Sequence, residues 1–209
     1  MRPSKKQNSS QGVSLPRARG TGTVRIIAGK WRRTPLPVSD QSGLRPTGDR
    51  VRETLFNWLA HLFGSLNEIE GLDLFAGSGA LGFELASRGA QHVTLIEKNR
   101  SAYHNLCNMC EKLQAQEQMQ ILCADSLKCL PTIDKKFDII FIDPPFALNF
   151  HEKAIKLALS HLKENGYLYV ESPKEWDAQV ISDLKLNVVR QSDAGAVTFR
   201  LITLSREPK

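Results

Sequence analysis

The sequence predicts an α/β protein whose mostly parallel sheet ends in an antiparallel hairpin. Three observations predict it. From residue 69 onward, short apolar runs alternate with longer stretches of helical period, the pattern of strands joined by crossover helices. The run Phe137-Asp138-Ile139-Ile140-Phe141-Ile142 is nearly continuous in apolar residues, as a strand covered on both faces requires. The last two extended runs, Asn187 to Gln191 and Ala196 to Leu204, are separated only by Ser192-Asp193-Ala194-Gly195. That link is too short for a parallel crossover, so the two runs must pair as a hairpin.

Taken in order, residues 1–22 are rich in Ser, Gln, Gly, Arg and Lys and nearly devoid of apolar side chains. They cannot bury enough surface to offset ordering entropy, and a basic disordered tail is expected. Val24 to Leu36 mixes β-branched residues with Arg and Lys around Gly29 and reads as a basic hairpin, with Trp31 packed on the body. A helix then opens near Thr47 or Asp49, either of which can cap it. Val51, Leu55, Trp58, Leu59 and Leu62 form its apolar stripe, and Gly64 ends it. Strands are expected at Ile69 to Phe75, His92 to Ile96, Met119 to Cys123, Phe137 to Ile142 and Gly166 to Glu171. Helices are expected at Ala80 to Arg88, Arg100 to Leu113, Glu152 to Leu162 and Glu175 to Leu184. The implied organisation is a tail over residues 1–22, a hairpin-and-helix extension over 23–64 and an α/β domain over 65–209.

The chain is basic at one end. Residues 1–53 hold 12 Lys and Arg against 3 Asp and Glu, net +9; residues 54–209 hold 16 against 19, net −3, which together give the overall +6. A basic arm on a mildly acidic body suits a polyanionic partner, because phosphates are held mainly by Lys and Arg. Arg25, Lys30, Arg32 and Arg33 in the hairpin, with Arg45 after it, are the candidate RNA contacts. No apolar run approaches the roughly 18 to 20 residues of a membrane span, and the first ten residues lack the apolar core of a signal peptide. A cytoplasmic protein is expected. Cys107 and Cys110 share a CxxC spacing inside a polar helical stretch, but no second pair completes a zinc site. No metal is expected.

Asp73-Leu74-Phe75-Ala76-Gly77-Ser78-Gly79-Ala80-Leu81-Gly82 joins the first strand of the domain to its first helix. Glycines serve where backbone turns sharply and approaches a ligand, and the helix N-terminus offers free N–H groups. Gly77, Gly79 and Gly82 also satisfy GxGxxG, with Glu97 twenty residues after Gly77, so a dinucleotide is one reading. S-adenosylmethionine (SAM) is the other. Asp73 can take its ammonium, Glu97 its ribose hydroxyls, and Asp125 at the next strand end the adenine amine. Phe75 and Ala76 in the loop, Lys98 beside Glu97 and Ser126 beside Asp125 are taken with them as cofactor contacts.

Asp143-Pro144-Pro145-Phe146 follows the fourth strand. An exocyclic amine on a base is a weak nucleophile, because its lone pair is delocalised into the ring. The Asp143 side chain and the Pro144 carbonyl can accept its two N–H bonds, Pro145 stiffens the turn, and Phe146 offers a stacking face; catalysis is then mostly positioning. The pocket suits adenine N6, guanine N2, cytosine N4 or a glutamine amide alike. A chain that only binds RNA during ribosome assembly would need the basic arm alone.

Four segments together resemble a known family: Arg45 to Leu59, Asp73 to Glu84, Asp143 to Phe146, and Tyr169-Val170-Glu171-Ser172. They are similar to the RsmD family of bacterial 16S rRNA guanine-N2 methyltransferases, over about residues 23–205, and the first segment is specific to it. The resemblance implies a class I SAM-dependent methyltransferase, Rossmann-like in its sheet. Its target would be a guanine in a small-subunit hairpin loop, with proteins already bound to the particle. It places Asp73, Gly77, Gly79, Glu97 and Asp125 on the cofactor and Asp143 to Phe146 on the guanine. The segment of Arg45, Pro46 and Thr47 would fold over the cofactor's amino-acid end. A monomer is expected.

Overall fold

Val24 and Leu36 sit opposite each other in a two-stranded antiparallel ribbon, β1 (Thr23–Arg25) and β2 (Pro35–Pro37), and both turn inward. A computed structural model describes residues 23–38, 48–145, 150–176 and 179–205 of the chain. The expected tail over 1–22, and Arg45, Thr47 and Phe146, lie outside the described residues. The ribbon's turn rests on the body through Gly29, whose φ is +83°. A Cβ there would lie 1.8 Å from the Ser87 carbonyl oxygen, so only glycine lets the turn approach this closely.

Helix α1 (Asp49–Phe63) buries Val51, Leu55, Phe56 and Leu59 on one stripe. Gly48, not Asp49, is its N-cap, and no side chain caps it. The Asp49 carboxylate is instead taken by Arg52, at 2.7 Å. Gly64 ends the helix with its N–H on the Ala60 carbonyl.

The remaining elements are β3 (Glu70–Asp73), α2 (Ala80–Ser87), β4 (His92–Glu97), α3 (Arg100–Lys112), β5 (Met119–Cys123), α4 (Ser126–Cys129), β6 (Phe137–Ile142), α5 (His151–Leu159), β7 (Leu162–Pro173), α6 (Gln179–Asp183), β8 (Leu186–Ala194) and β9 (Val197–Leu204). Strands β7 and β8 run beyond their expected bounds, and three helices differ from the sequence reading. A four-residue helix, α4, which ends at Cys129 and is continued by a 3-10 turn over Leu130–Thr132, fills a stretch for which the sequence set no helix bounds. Helix α5 stops at Leu159 rather than Leu162, because Leu162 has already joined β7 opposite Phe137. Helix α6 is five residues long, because Pro173 and Trp176 close a turn first (Trp176 N–H to the Pro173 carbonyl, 3.1 Å).

The seven-stranded sheet runs β5-β4-β3-β6-β7-β9-β8. The five strands from β5 to β7 are parallel; β9 is antiparallel to both β7 and β8. Inserting the last strand antiparallel between β7 and β8 departs from the dinucleotide-binding order. One face is covered by the ribbon, α1, α2 and α3, the other by α4, α5 and α6. Phe56 meets Phe141 at 6.2 Å, Trp58 stacks on Phe199 at 5.3 Å, and Phe63 meets Tyr167 edge-on at 5.3 Å. Such pairs each add about 0.5 to 1.5 kcal/mol beyond the area they bury. The ribbon and α1 thus share one apolar cluster with the sheet. Trp31 is part of that cluster. Among the described residues, no helix is long and apolar enough to cross a membrane.

Candidate active site

The chain passes from β3 outward to β4 and β5, then returns to place β6 on the other side of β3. That reversal is a topological switch point, and open α/β sheets bind ligands at the carboxyl edge beside such a point. Asp73, Glu97, Asp125 and Asp143 all stand at or just past strand ends on this edge.

The loop after β3 is fixed at both sides. The Ala76 N–H donates to the Ile96 carbonyl at 3.1 Å, and Gly79 caps α2 at φ +76°. A Cβ on Gly79 would meet Leu106 and Phe83 at 2.6 Å, so the turn is closed to any other residue without repacking. Phe75 packs into the cluster on the α5 side of the sheet, and Ala76 is buried on the other. Gly77 differs: a Cβ there would meet nothing closer than the Phe75 carbonyl oxygen at 3.9 Å, so its backbone borders open space.

Asp73 is 2% exposed and accepts from the Gly82 N–H at 3.2 Å. Burial pushes its carboxyl up to about 7; the Gly82 and Phe75 N–H groups pull it down, and Glu97 pushes it up. Glu97 accepts from the Gly77 N–H at 2.7 Å and from the Asn99 N–H at 2.6 Å, so it braces the loop it faces. Asp125 caps α4 through the Leu127 N–H and pairs with Lys98 at 2.8 Å; the Lys98 hydrogen bond holds its carboxyl below the usual range. Lys98 itself is exposed. The Ser126 hydroxyl is buried and donates to the Leu74 carbonyl, which ties α4 to β3.

Beyond β6, Asp143 is half-buried, Pro144 buried and Pro145 exposed. Tyr169 lies beneath, fully buried, and donates to Glu171 at 2.9 Å. Burial first, then the charges of Glu171 and Asp143, hold the Tyr169 hydroxyl well above its ordinary range.

The basic residues stand elsewhere. Arg25, Lys30, Arg32 and Arg33 are all exposed on the ribbon and its turn. The turn docks on the C-terminal half of α2. Glu84 accepts from the Ile27 N–H at 2.7 Å and the Ala28 N–H at 3.1 Å, and Ser87 accepts from Lys30 and Trp31 backbone N–H groups. Glu84 and Ser87 stand four and seven residues past the first residue of α2, so the dock lies about 6 to 10 Å along the helix from the glycine loop. A groove of about 590 Å³ opens there between the turn, Glu53 and Asn57 of α1, and Arg88.

The anchor of the dock was not visible in the sequence. Glu84 is 0% exposed and lies between Arg88 (2.7 Å) and the equally buried Arg52 (3.7 Å). Arg52 also donates to the Arg25 carbonyl at 2.8 Å.

With the geometry in hand, relatives can be compared. A family model described as conserved hypothetical protein 95 matches residues 24–203. A ribosomal RNA small subunit methyltransferase D from Haemophilus influenzae is 42% identical over 194 residues, 90% of this chain and 97% of its own. The Escherichia coli protein of the same name is 40% identical over 195 residues, 90% of this chain and 94% of its own. A solved structure described as a putative methyltransferase from Escherichia coli superposes with TM-score 0.75 at 38% identity, over 89% of this chain and 100% of that one. With the family model spanning most of the chain and two relatives 40 to 42% identical over 90% of it, the chain belongs to the ribosomal RNA small subunit methyltransferase D family.

Proposed function

We propose that the protein transfers a methyl group from S-adenosylmethionine to the exocyclic N2 amine of a guanine in a loop of small-subunit 16S rRNA. It would act in the cytoplasm, as a monomer, on a ribosomal particle. The observation that carries this reading is the placement of Asp143 and Pro144 at the end of β6, one strand from the Asp73 glycine loop on β3. The relatives' names supply the RNA.

The residues present suit the cofactor. Gly77 leaves its backbone open to a ligand, and Asp73 is a buried acid that a ligand's ammonium would compensate. Glu97 and Asp125 stand on the next two strand ends for ribose and adenine. Phe75, Ala76, Gly79, Lys98 and Ser126 shape the loop and its flank, and Thr47 would close over the amino-acid end. When bound, S-adenosylmethionine supplies an electrophilic methyl on a sulfonium. Asp143 and the Pro144 carbonyl accept the two N–H bonds of the guanine amine, which localises its lone pair and aims it. Pro145 fixes the turn, and Phe146 stacks on the base. Asp143 already holds the N–H whose proton is lost once the N–C bond has formed, so it is placed to take it. The base must leave its stack, which costs least in a loop. Arg25, Lys30, Arg32, Arg33 and Arg45 hold flanking phosphates, a contact that weakens with salt.

Asp73 gives cofactor binding a pH dependence. Folded, it keeps its proton up to about pH 7, against a reference of 3.8. The folded state therefore binds more protons between these values, and stability falls as pH rises through that window. A ligand ammonium favours the carboxylate and must expel that proton. Affinity for S-adenosylmethionine is expected to fall about tenfold per pH unit below about pH 7. Calorimetry in two buffers should read about one proton released at about pH 6. A flat affinity across that range would remove Asp73 from the ammonium site.

The function itself is tested by incubating the protein with labelled S-adenosylmethionine and small subunits from cells lacking this activity. Label should enter 16S rRNA; no incorporation into any ribosomal particle would overturn the reading. A thermal shift with S-adenosylmethionine and none with NAD accompanies it.

A further inference from the structure

Glu171 lies in the carboxyl half of β7, two residues before its end at Pro173, and the chemistry above leaves it unused. The register pairs Ile142 with Val170, so Asp143 and Glu171 are level, one residue further along adjacent parallel strands. Ile142 and Val170 face the α5 side, Phe141 and Tyr169 the α1 side. Alternation then puts Glu171 on the α1 side with Tyr169, and the charges of both Glu171 and Asp143 act on the Tyr169 hydroxyl there. Glu171 is only 6% exposed. Burying a carboxylate is costly unless it is compensated, and here the Tyr169 hydroxyl holds its Oε2 at 2.9 Å. Tyr169 is itself wedged between Phe141 and Phe199, at 6.0 and 6.4 Å. The brace stays a donor at any working pH, since the Tyr169 hydroxyl keeps its proton well above the ordinary range.

A guanine presents the N1–H donor beside its N2 amine. Adenine and 2-aminopurine present an N1 lone pair instead. Resting on the guanine-N2 reading, we propose that Glu171, braced by Tyr169, accepts the N1–H of the target guanine and sets base specificity, while Asp143 and Pro144 take the amine. A second acid beside the amine acceptor is complementary to N1–H and repels a lone pair.

The test uses small subunits reconstituted with 16S rRNA carrying guanine or 2-aminopurine at the mapped target. The readout is the ratio of kcat/KM values. The wild-type protein should prefer guanine by on the order of 10- to 100-fold, the discrimination a base-edge contact supplies. Glu171→Gln offers an amide N–H to the lone pair and should cut that preference at least about tenfold, the size of one such contact. Tyr169→Phe, which removes only the brace, should shift the ratio the same way by less. Equal losses on both substrates in both variants, or no preference in the wild type, would make the pair a structural strut and overturn the proposal. If Glu171→Gln does not fold, an unchanged ratio in Tyr169→Phe overturns it alone. Failure of the guanine-N2 reading shows separately, as a wild-type product other than N2-methylguanosine.

Discussion

Replacing Asp143 with alanine is expected to lower kcat by roughly 10³-fold, the loss typical when one preorganised electrostatic contact to a developing charge is removed. Affinity for S-adenosylmethionine, measured by calorimetry, should stay near the wild-type value. Asp143 follows β6, whereas the loop and acids assigned to the cofactor follow β3, β4 and β5. Without Asp143 the amine loses the acceptor that localises its lone pair, and charge developing on nitrogen goes uncompensated. Asp143→Asn keeps an acceptor oxygen but not the charge, so its loss should be intermediate. Weakened cofactor binding in Asp143→Ala would place the residue on the cofactor side. Turnover within tenfold of wild type would remove it from the chemistry.

Glu84→Ala should destabilise the fold by about 3 to 5 kcal/mol, the usual result of removing one partner from a buried ion pair. The Glu84 carboxylate compensates Arg52, which has no exposed side-chain surface, and fixes Arg88 and the Ile27 and Ala28 N–H groups. Removing it leaves Arg52 with the exposed Asp49 at 2.7 Å in place of a buried carboxylate, and frees the turn that carries Lys30 and Arg32. For a chain of this size, about 2 to 4 °C of melting temperature goes with each kcal/mol, so a fall of about 6 to 20 °C is expected. Arg88→Ala should cost less, because the Arg88 side chain is 17% exposed and Glu84 keeps Arg52 and two backbone N–H groups. Urea unfolding measures both. A Glu84→Ala cost below about 1 kcal/mol, the range of an exposed pair, would mean that the cluster does not anchor the ribbon.

The acids of the carboxyl edge were legible because each follows a run whose apolar continuity marks a buried parallel strand. Asp73, Glu97, Asp125 and Asp143 could therefore be placed on one edge before any coordinates. The Glu84 anchor was not legible. Its i,i+4 partner Arg88 shows in the helical spacing, but its other partners are two backbone N–H groups 56 and 57 residues away and an arginine 32 positions earlier, and backbone donors leave no trace in residue type. Glu171 was visible as part of a motif, but its pairing with Asp143 depends on the β6–β7 register. That register shifts between Phe137 and Ile139, which apolar patterning does not report. Helix α4 spans barely one turn, too short for a helical period to show. Helix α5 was overextended because Leu159 and Leu162 continue its spacing into a strand.

The basic ribbon and the acidic edge lie at opposite ends of α2. On the proposed reading the ribbon would grip RNA beside the target while the edge modifies one extruded base. The most direct test is the identity of the labelled nucleoside. Small subunits lacking the modification, treated with the protein and labelled S-adenosylmethionine, are digested and their nucleosides separated. N2-methylguanosine at a single loop position is the predicted product. N6-methyladenosine, N4-methylcytidine or label confined to ribosomal protein would contradict the account.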